Sequence, residues 1–122
     1  MATLDFTYKG IILSGRVPEA NIQAEFYRLC RKYGIEVLLE ITHKGCRFDA
    51  VVFLDNRPFA IVEVKNYTER RASMGLSTKG RQLRKYSQFG LPVIGVLNSR
   101  QVTTSIDRIL KMIEEAKNPP LQ

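Results

Sequence analysis

The apolar positions of this chain change period along its length, and those changes divide it into elements. Pro18 and Glu19 open a stretch in which Ile22, Phe26, Leu29, Cys30 and Tyr33 recur at helical spacing on one face. Pro18 suits a first turn, Glu19 favours the positive end of the helix, and Gly34 is a natural C-terminal stop. Residues 35–41 then predict the first strand of a sheet, with a turn at His43-Lys44-Gly45. Arg47 to Phe53 and Ile61 to Lys65 are rich in Val, Ile and Phe, and they flank Asp55-Asn56-Arg57-Pro58, the pattern of a hairpin. From Asn66 to about Ser77 the chain is polar and basic, and it reads as a loop long enough to carry function. Ser77 or Thr78 is placed to cap a second helix that bears Gln82, Leu83, Tyr86 and Phe89 and ends at Gly90. Residues 91–97 predict a buried strand. A last helix, from Thr103 or Thr104, presents Ile106, Ile109, Leu110 and Ile113 and stops at Asn118-Pro119-Pro120. Residues 1–15 offer weak alternation from Leu4 to Tyr8 and a short apolar run at Ile11-Ile12-Leu13, interrupted by Gly10 and Gly15.

The order helix, three strands, helix, strand, helix predicts an α/β domain whose central mixed sheet is flanked by helices. A length of 122 residues fits one domain spanning the whole chain.

Three ionisable groups interrupt the hairpin's apolar runs: Asp49, Glu63 and Lys65. Strand side chains alternate, so Glu63 and Lys65 share a face. A register that sets Asp49 near Glu63 would gather two carboxylates and one amine in a single patch. Burying such groups costs several kcal/mol (roughly) per ion unless a partner or a metal compensates.

Charge sharpens the picture. The net charge is +7. Lys65, Arg70, Arg71, Lys79, Arg81, Arg84, Lys85 and Arg100 face a single acid, Glu69, between positions 65 and 100. Eight minus one is seven, so that third of the chain holds the whole excess. A basic region of this density suits a polyanion, nucleic acid first; a solvated surface is the plainer alternative. Cys30 and Cys46 form no Cys-x-x-Cys pair, and with His43 as the one histidine a zinc site is not expected. Both cysteines read as small core or near-core residues. No window approaches membrane-span length and no basic segment leads into a long apolar run, so an intracellular protein without a membrane partner is expected.

Asp49 followed by Glu63-Val64-Lys65 resembles the signature of the PD-(D/E)XK nuclease superfamily, with Phe48 where a Pro usually precedes the Asp. Gln82-Leu83-Arg84-Lys85-Tyr86, on the helix after the Lys, is similar to the Gln-x-x-x-Tyr motif of RecB-type and type I restriction nucleases. Glu19, in Glu19-Ala20-Asn21-Ile22-Gln23, resembles the early Glu of the small nuclease domains of virus-type replication-repair proteins. The element order matches that superfamily's restriction-endonuclease-like core from Glu19 to Leu97.

The resemblance implies a metal-dependent endonuclease acting on DNA. Asp49, Glu63 and the Val64 carbonyl would hold Mg²⁺, or Mn²⁺ in its place, because Mg²⁺ takes a few carboxylates and leaves other positions to water and phosphate. Lys65 would orient or activate the attacking water, or stabilise charge on the phosphate; as a structural residue it would pair with Asp49 or Glu63. Gln82 would orient a metal-bound water or a phosphate, and Tyr86, one turn on, would share its face or pack on the sheet. Glu19 is either an outer metal contact or a carboxylate on the helix dipole, with Glu25 an alternative on the same helix. Arg70, Arg71, Lys79, Arg81, Arg84 and Lys85 would meet backbone phosphates, which gives salt-dependent affinity and little base specificity. By analogy with small members of the fold a homodimer is expected. The competing expectations are a non-cleaving nucleic-acid-binding module and a subunit of a larger restriction or repair assembly.

Overall fold

The structure, a computed structural model, describes residues 3–76 and 81–119. Its elements in chain order are β1 (Thr3–Tyr8), β2 (Ile11–Arg16), α1 (Glu19–Lys32), β3 (Glu36–His43), β4 (Cys46–Leu54), β5 (Arg57–Val64), α2 (Glu69–Ser73), α3 (Arg81–Ser87), β6 (Val93–Val96) and α4 (Gln101–Lys117). A four-stranded sheet in the order β3-β4-β5-β6 lies between helices, antiparallel except for the β5–β6 pair. This is the mixed-sheet α/β arrangement that the periodicity predicts.

Chain chemistry accounts for the boundaries. Pro18 precedes α1 in an extended conformation, and Gly34 ends it at φ +71. There the Ile35 N–H bonds the Cys30 carbonyl at 2.8 Å and the Gly34 N–H bonds that of Arg31 at 3.3 Å, the closing pair of a Schellman motif. The hairpins turn through two residues each: Lys9-Gly10, Lys44-Gly45 and Asp55-Asn56, all at positive φ. Such turns match the right-handed twist of the strands they join.

Several sequence expectations move. Residues 3–16 form a hairpin, β1–β2, in a two-stranded sheet of its own. The β4–β5 turn is two residues instead of four, because Asn56 tolerates positive φ. Pro58 therefore lies inside β5, beside an irregularity where the pairing slips from Val52↔Ala60 to Phe53↔Pro58. Proline is tolerated in strands at such slips. His43 ends β3 and packs on Phe89, ring centroids 4.9 Å apart, so it is not a turn residue. The basic segment after β5 contains helix α2, capped by the Thr68 hydroxyl. Strand β6 is shorter than residues 91–97, and α4 begins at Gln101. The expected caps Ser77 and Thr78 lie outside the described residues.

The core has two parts. On one face, Ile22, Phe26 and Cys30 of α1 and Ile106 and Ile109 of α4 cover Ala50, Val52, Ala60, Val62, Val64, Ile94 and Val96. Phe26 is fully buried there; truncating it to Ala would cost about 3–5 kcal/mol through lost burial and the residual cavity. On the other face Tyr86 and Phe89 lie over Phe48, Val51 and Ile61.

The sheet turns over at one place. Leu39 pairs with Ala50 and Ile41 with Phe48, but the register passes over Glu40 and Asp49 between them. Across that gap Leu39 and Ala50 belong to the first core cluster, and Ile41 and Phe48 to the second. In a regular strand residues two apart share a face. Both strands therefore rotate here, and the cause is Glu40, whose φ of +56 is left-handed. That conformation costs a non-glycine residue about 1–2 kcal/mol. The Glu40 side chain offsets part of it by accepting from Gln23 Nε2 at 3.0 Å and pairing with Arg47 Nε at 2.7 Å.

Glu40→Gly should therefore keep chemical-denaturation stability within about 1 kcal/mol of the natural protein, because glycine adopts positive φ freely. Glu40→Val loses the same contacts and keeps the strain, and should fall lower by roughly 1–3 kcal/mol. Equal stability of the two variants would rule out the strained corner.

Candidate active site

The corner opens the sheet around Asp49. Its carbonyl, on the side facing β3, accepts from the Gln23 side chain of α1 at 2.9 Å. Toward β5, the ladder stops at Ala50↔Val62. Beyond that pair the Val64 N–H donates to Asp49 Oδ2 at 2.8 Å, so a side chain takes the place of a strand partner. A hydrogen bond to a charged acceptor is worth about 1.5–3 kcal/mol, enough to fix the carboxylate's direction.

Continuing the Ala50↔Val62 register by one residue sets Asp49 across from Glu63. The two carboxylates thus meet at the end of the ladder, in the register that the sequence left as one possibility. Glu63 is 2% exposed. Burial pushes its carboxyl above the usual carboxylate range; the neighbouring charge of Asp49 pushes the same way, and Lys85 and Lys65 oppose it.

Lys85 is the residue that sequence reasoning placed differently. Expected on a phosphate-binding surface, it reaches in from α3 and holds Glu63 Oε1 at 2.8 Å, its side chain 21% exposed. Its ammonium also stands 5.1 Å from the Phe48 ring centroid. The signal was in the spacing: Gln82, Lys85 and Tyr86 stand at i, i+3 and i+4 on α3, one continuous face, with Phe89 just past its end. Lys65 follows β5 with its N–H on the Val96 carbonyl at 2.8 Å. Among the described residues it closes no ion pair, so the structural role considered for it falls to Lys85. Its charge is nevertheless felt by Glu63.

Gln82 and Tyr86 lie on α3 with Lys85. Gln82 Oε1 is buried and has no hydrogen-bond partner among the described residues. Tyr86 belongs to the core yet senses the site: burial, then the charges of Glu63 and Asp49, raise its hydroxyl's pKa well above the usual tyrosine range. The core packing expected for Tyr86 is what the structure shows.

Other candidates stand apart. Glu19 is exposed in the first turn of α1. Its neighbourhood is tied to the site through Asn66, which donates to the Val17 carbonyl, and through Gln23 one turn later. Glu25 pairs with Arg28 at 2.6 Å on the exposed face of α1 and takes no part. Among the described residues no three His, Cys, Asp or Glu side chains gather as a metal-binding group, so Glu19 does not complete one with Asp49 and Glu63.

The basic region is less free than its composition suggests. Arg71 lies over the Tyr67 ring at 4.2 Å and Arg100 pairs with Glu69. Arg70 and Arg84 are exposed. Lys79 lies outside the described residues, as does the side chain of Arg81.

The sign of the Glu63 shift sets a pH dependence. A carboxyl raised in the folded state costs stability when ionised; that cost is absent below the unfolded value and develops as pH rises through the folded one. Glu63→Gln should thus melt higher than the natural protein near pH 8, with the gap closing as the pH falls toward ~4. A gap that widens at low pH would contradict a buried, uneasy carboxylate.

No protein-family model, curated protein or solved structure matches this chain. Its functional reading therefore rests on the geometry around Asp49 and Glu63.

Proposed function

We propose that this protein is a metal-dependent nuclease with a restriction-endonuclease-like core, hydrolysing phosphodiester bonds of DNA. The observation that carries the reading is the hydrogen bond from the Val64 N–H to Asp49 Oδ2 at the end of the β4–β5 ladder. It sets two carboxylates side by side where the strands part, with Lys65 next in the chain.

The donor set suits a hard cation. Among the described residues Asp49 Oδ1 and Glu63 Oε2 accept no hydrogen bond, since the known contacts use the other oxygen of each group. These two atoms and the Val64 carbonyl would hold Mg²⁺ or Mn²⁺, which needs one or two carboxylates and keeps several waters. No thiolate or imidazole belongs to the set, which sets zinc aside. When bound, such an ion supplies positive charge at the scissile phosphate and a more acidic water. The chain's own groups do the rest. Asp49 keeps its direction through Val64. Lys65, with no ion pair among the described residues to hold it, stabilises charge on the phosphate or orients the attacking water. Arg70 and Arg84 meet flanking phosphates, which carries affinity and little sequence information.

One observation favours a second reading, a nucleic-acid-binding module without turnover. Asp49 and Glu63 are balanced by Lys65 and Lys85, so the four groups sum to zero without a metal.

Cleavage of labelled plasmid, single-stranded and four-way-junction DNA separates the two. With Mg²⁺ or Mn²⁺ the natural protein should cut at least one of them. Asp49→Asn keeps an acceptor for the Val64 N–H and should fold, yet lose roughly a hundredfold or more in rate. Binding without cleavage under every metal, or an undiminished Asp49→Asn protein, would end the nuclease reading.

A further inference from the structure

Two side-chain atoms on one face of α3 ask for an explanation together. Lys85 Nζ sits on Glu63 Oε1 at 2.8 Å. Gln82 Oε1, one helical turn before it, is buried and receives no donor among the described residues. Buried polar atoms are almost always satisfied, and an exception is a candidate for an alternative partner. Residues three apart on a helix are neighbours, so a four-carbon lysine stem that reaches Glu63 can also reach Gln82.

Charge gives the reason to move. Glu63 is 2% exposed, and Lys85 supplies the compensation that a buried carboxylate requires. A divalent cation on the free oxygens of Asp49 and Glu63 would provide that compensation itself and would repel the ammonium at close range. The ammonium has somewhere to go: its side chain is 21% exposed, it already rests against the Phe48 ring, and Gln82 Oε1 lacks a donor.

We propose that Lys85 is a displaceable internal counter-ion with two positions, Glu63 in the metal-free protein and Gln82 Oε1 in the metal-loaded one. The proposal rests on the metal-binding reading of Asp49 and Glu63. It assigns to the site a positive group that competes with the cation and is released beside the phosphate once the cation is bound. Metal and phosphate binding are thereby coupled, since displacement converts a neutral cluster into one with net positive charge.

The test is Mn²⁺ titration of the full chain by calorimetry, with no nucleic acid present. Lys85→Met removes the competitor and should bind Mn²⁺ about tenfold tighter or more. Where that variant fails to fold, Lys85→Gln serves, because its amide donates to Glu63 Oε1 without charge. Gln82→Met should weaken Mn²⁺ binding in the protein that keeps Lys85 and leave it unchanged beside Lys85→Met. Unchanged or weaker binding by the Lys85 variants, while the natural protein binds Mn²⁺, would overturn the counter-ion and leave the nuclease reading standing. Equal weakening by Gln82→Met in both backgrounds would make Gln82 a partner of the metal's water, and would overturn the second position. Absence of Mn²⁺ binding in every protein would overturn both this proposal and the metal-binding reading beneath it.

Discussion

A single hydrogen bond, from the Val64 N–H to the Asp49 carboxylate, decides how this sheet can be used. A backbone donor inside a sheet ordinarily meets a carbonyl of the next strand, and leaving it unpaired when buried costs free energy comparable to the lost bond. Here the β4–β5 ladder ends early and a side chain completes it. That substitution lets the strands part without an orphaned donor. It also turns Asp49 toward Glu63 instead of toward solvent. The Gln23 side chain plays a corresponding part at the Asp49 carbonyl, beside the gap that the β3–β4 register leaves at Glu40 and Asp49. The opening is thus held from both sides by side chains, which makes it a built feature of the fold.

The electrostatics follow from that opening. Two carboxylates forced together, one of them almost fully buried, would repel each other and resist ionisation. Lys85 from α3 and Lys65 from the end of β5 reduce the repulsion, but they leave Glu63 with its proton held more tightly than in water. At this balance Asp49 is held by the Val64 N–H and Glu63 by Lys85, while Lys65 has no ion pair among the described residues. A carboxyl raised in this way costs stability once it is ionised.

Much of the architecture was legible because burial writes a period into the chain. The faces of α1 and α4 and the strands β3 to β6 follow from spacings of two or of three and four, whereas the Asp49–Glu63 juxtaposition depends also on the slip at Val52/Phe53. Three things were not legible, for separate reasons. The β1–β2 hairpin carries little alternation and turns at Lys9-Gly10, so its pattern is weak. The corner at Glu40 has no signature, since a glutamate is an unfavourable choice for positive φ and nothing nearby marks the exception. Lys85 was legible in principle, at helical spacing from Gln82 and Phe89, but a lysine in a basic stretch reads as surface unless its face is counted.

The same correction changes what the basic region can do. Eight cations between positions 65 and 100 suggest a broad phosphate-binding surface. Lys85 is held by Glu63, Arg100 by Glu69, and Arg71 lies on Tyr67. The salt dependence of polyanion binding scales with the phosphates that cations neutralise, not with the cations a sequence contains. Arg70 and Arg84, exposed, and Lys65, free of an ion pair among the described residues, are the described cations left for that purpose. Of these, Lys65 is the one whose charge reaches Glu63, so part of the charge available for a backbone lies beside the carboxylates. A narrow contact of this kind grips phosphate weakly by itself. Its strength would then depend on what else enters the site, which ties binding to the state of the carboxylate pair and leaves α3, carrying both Gln82 and Lys85, as the element that senses it.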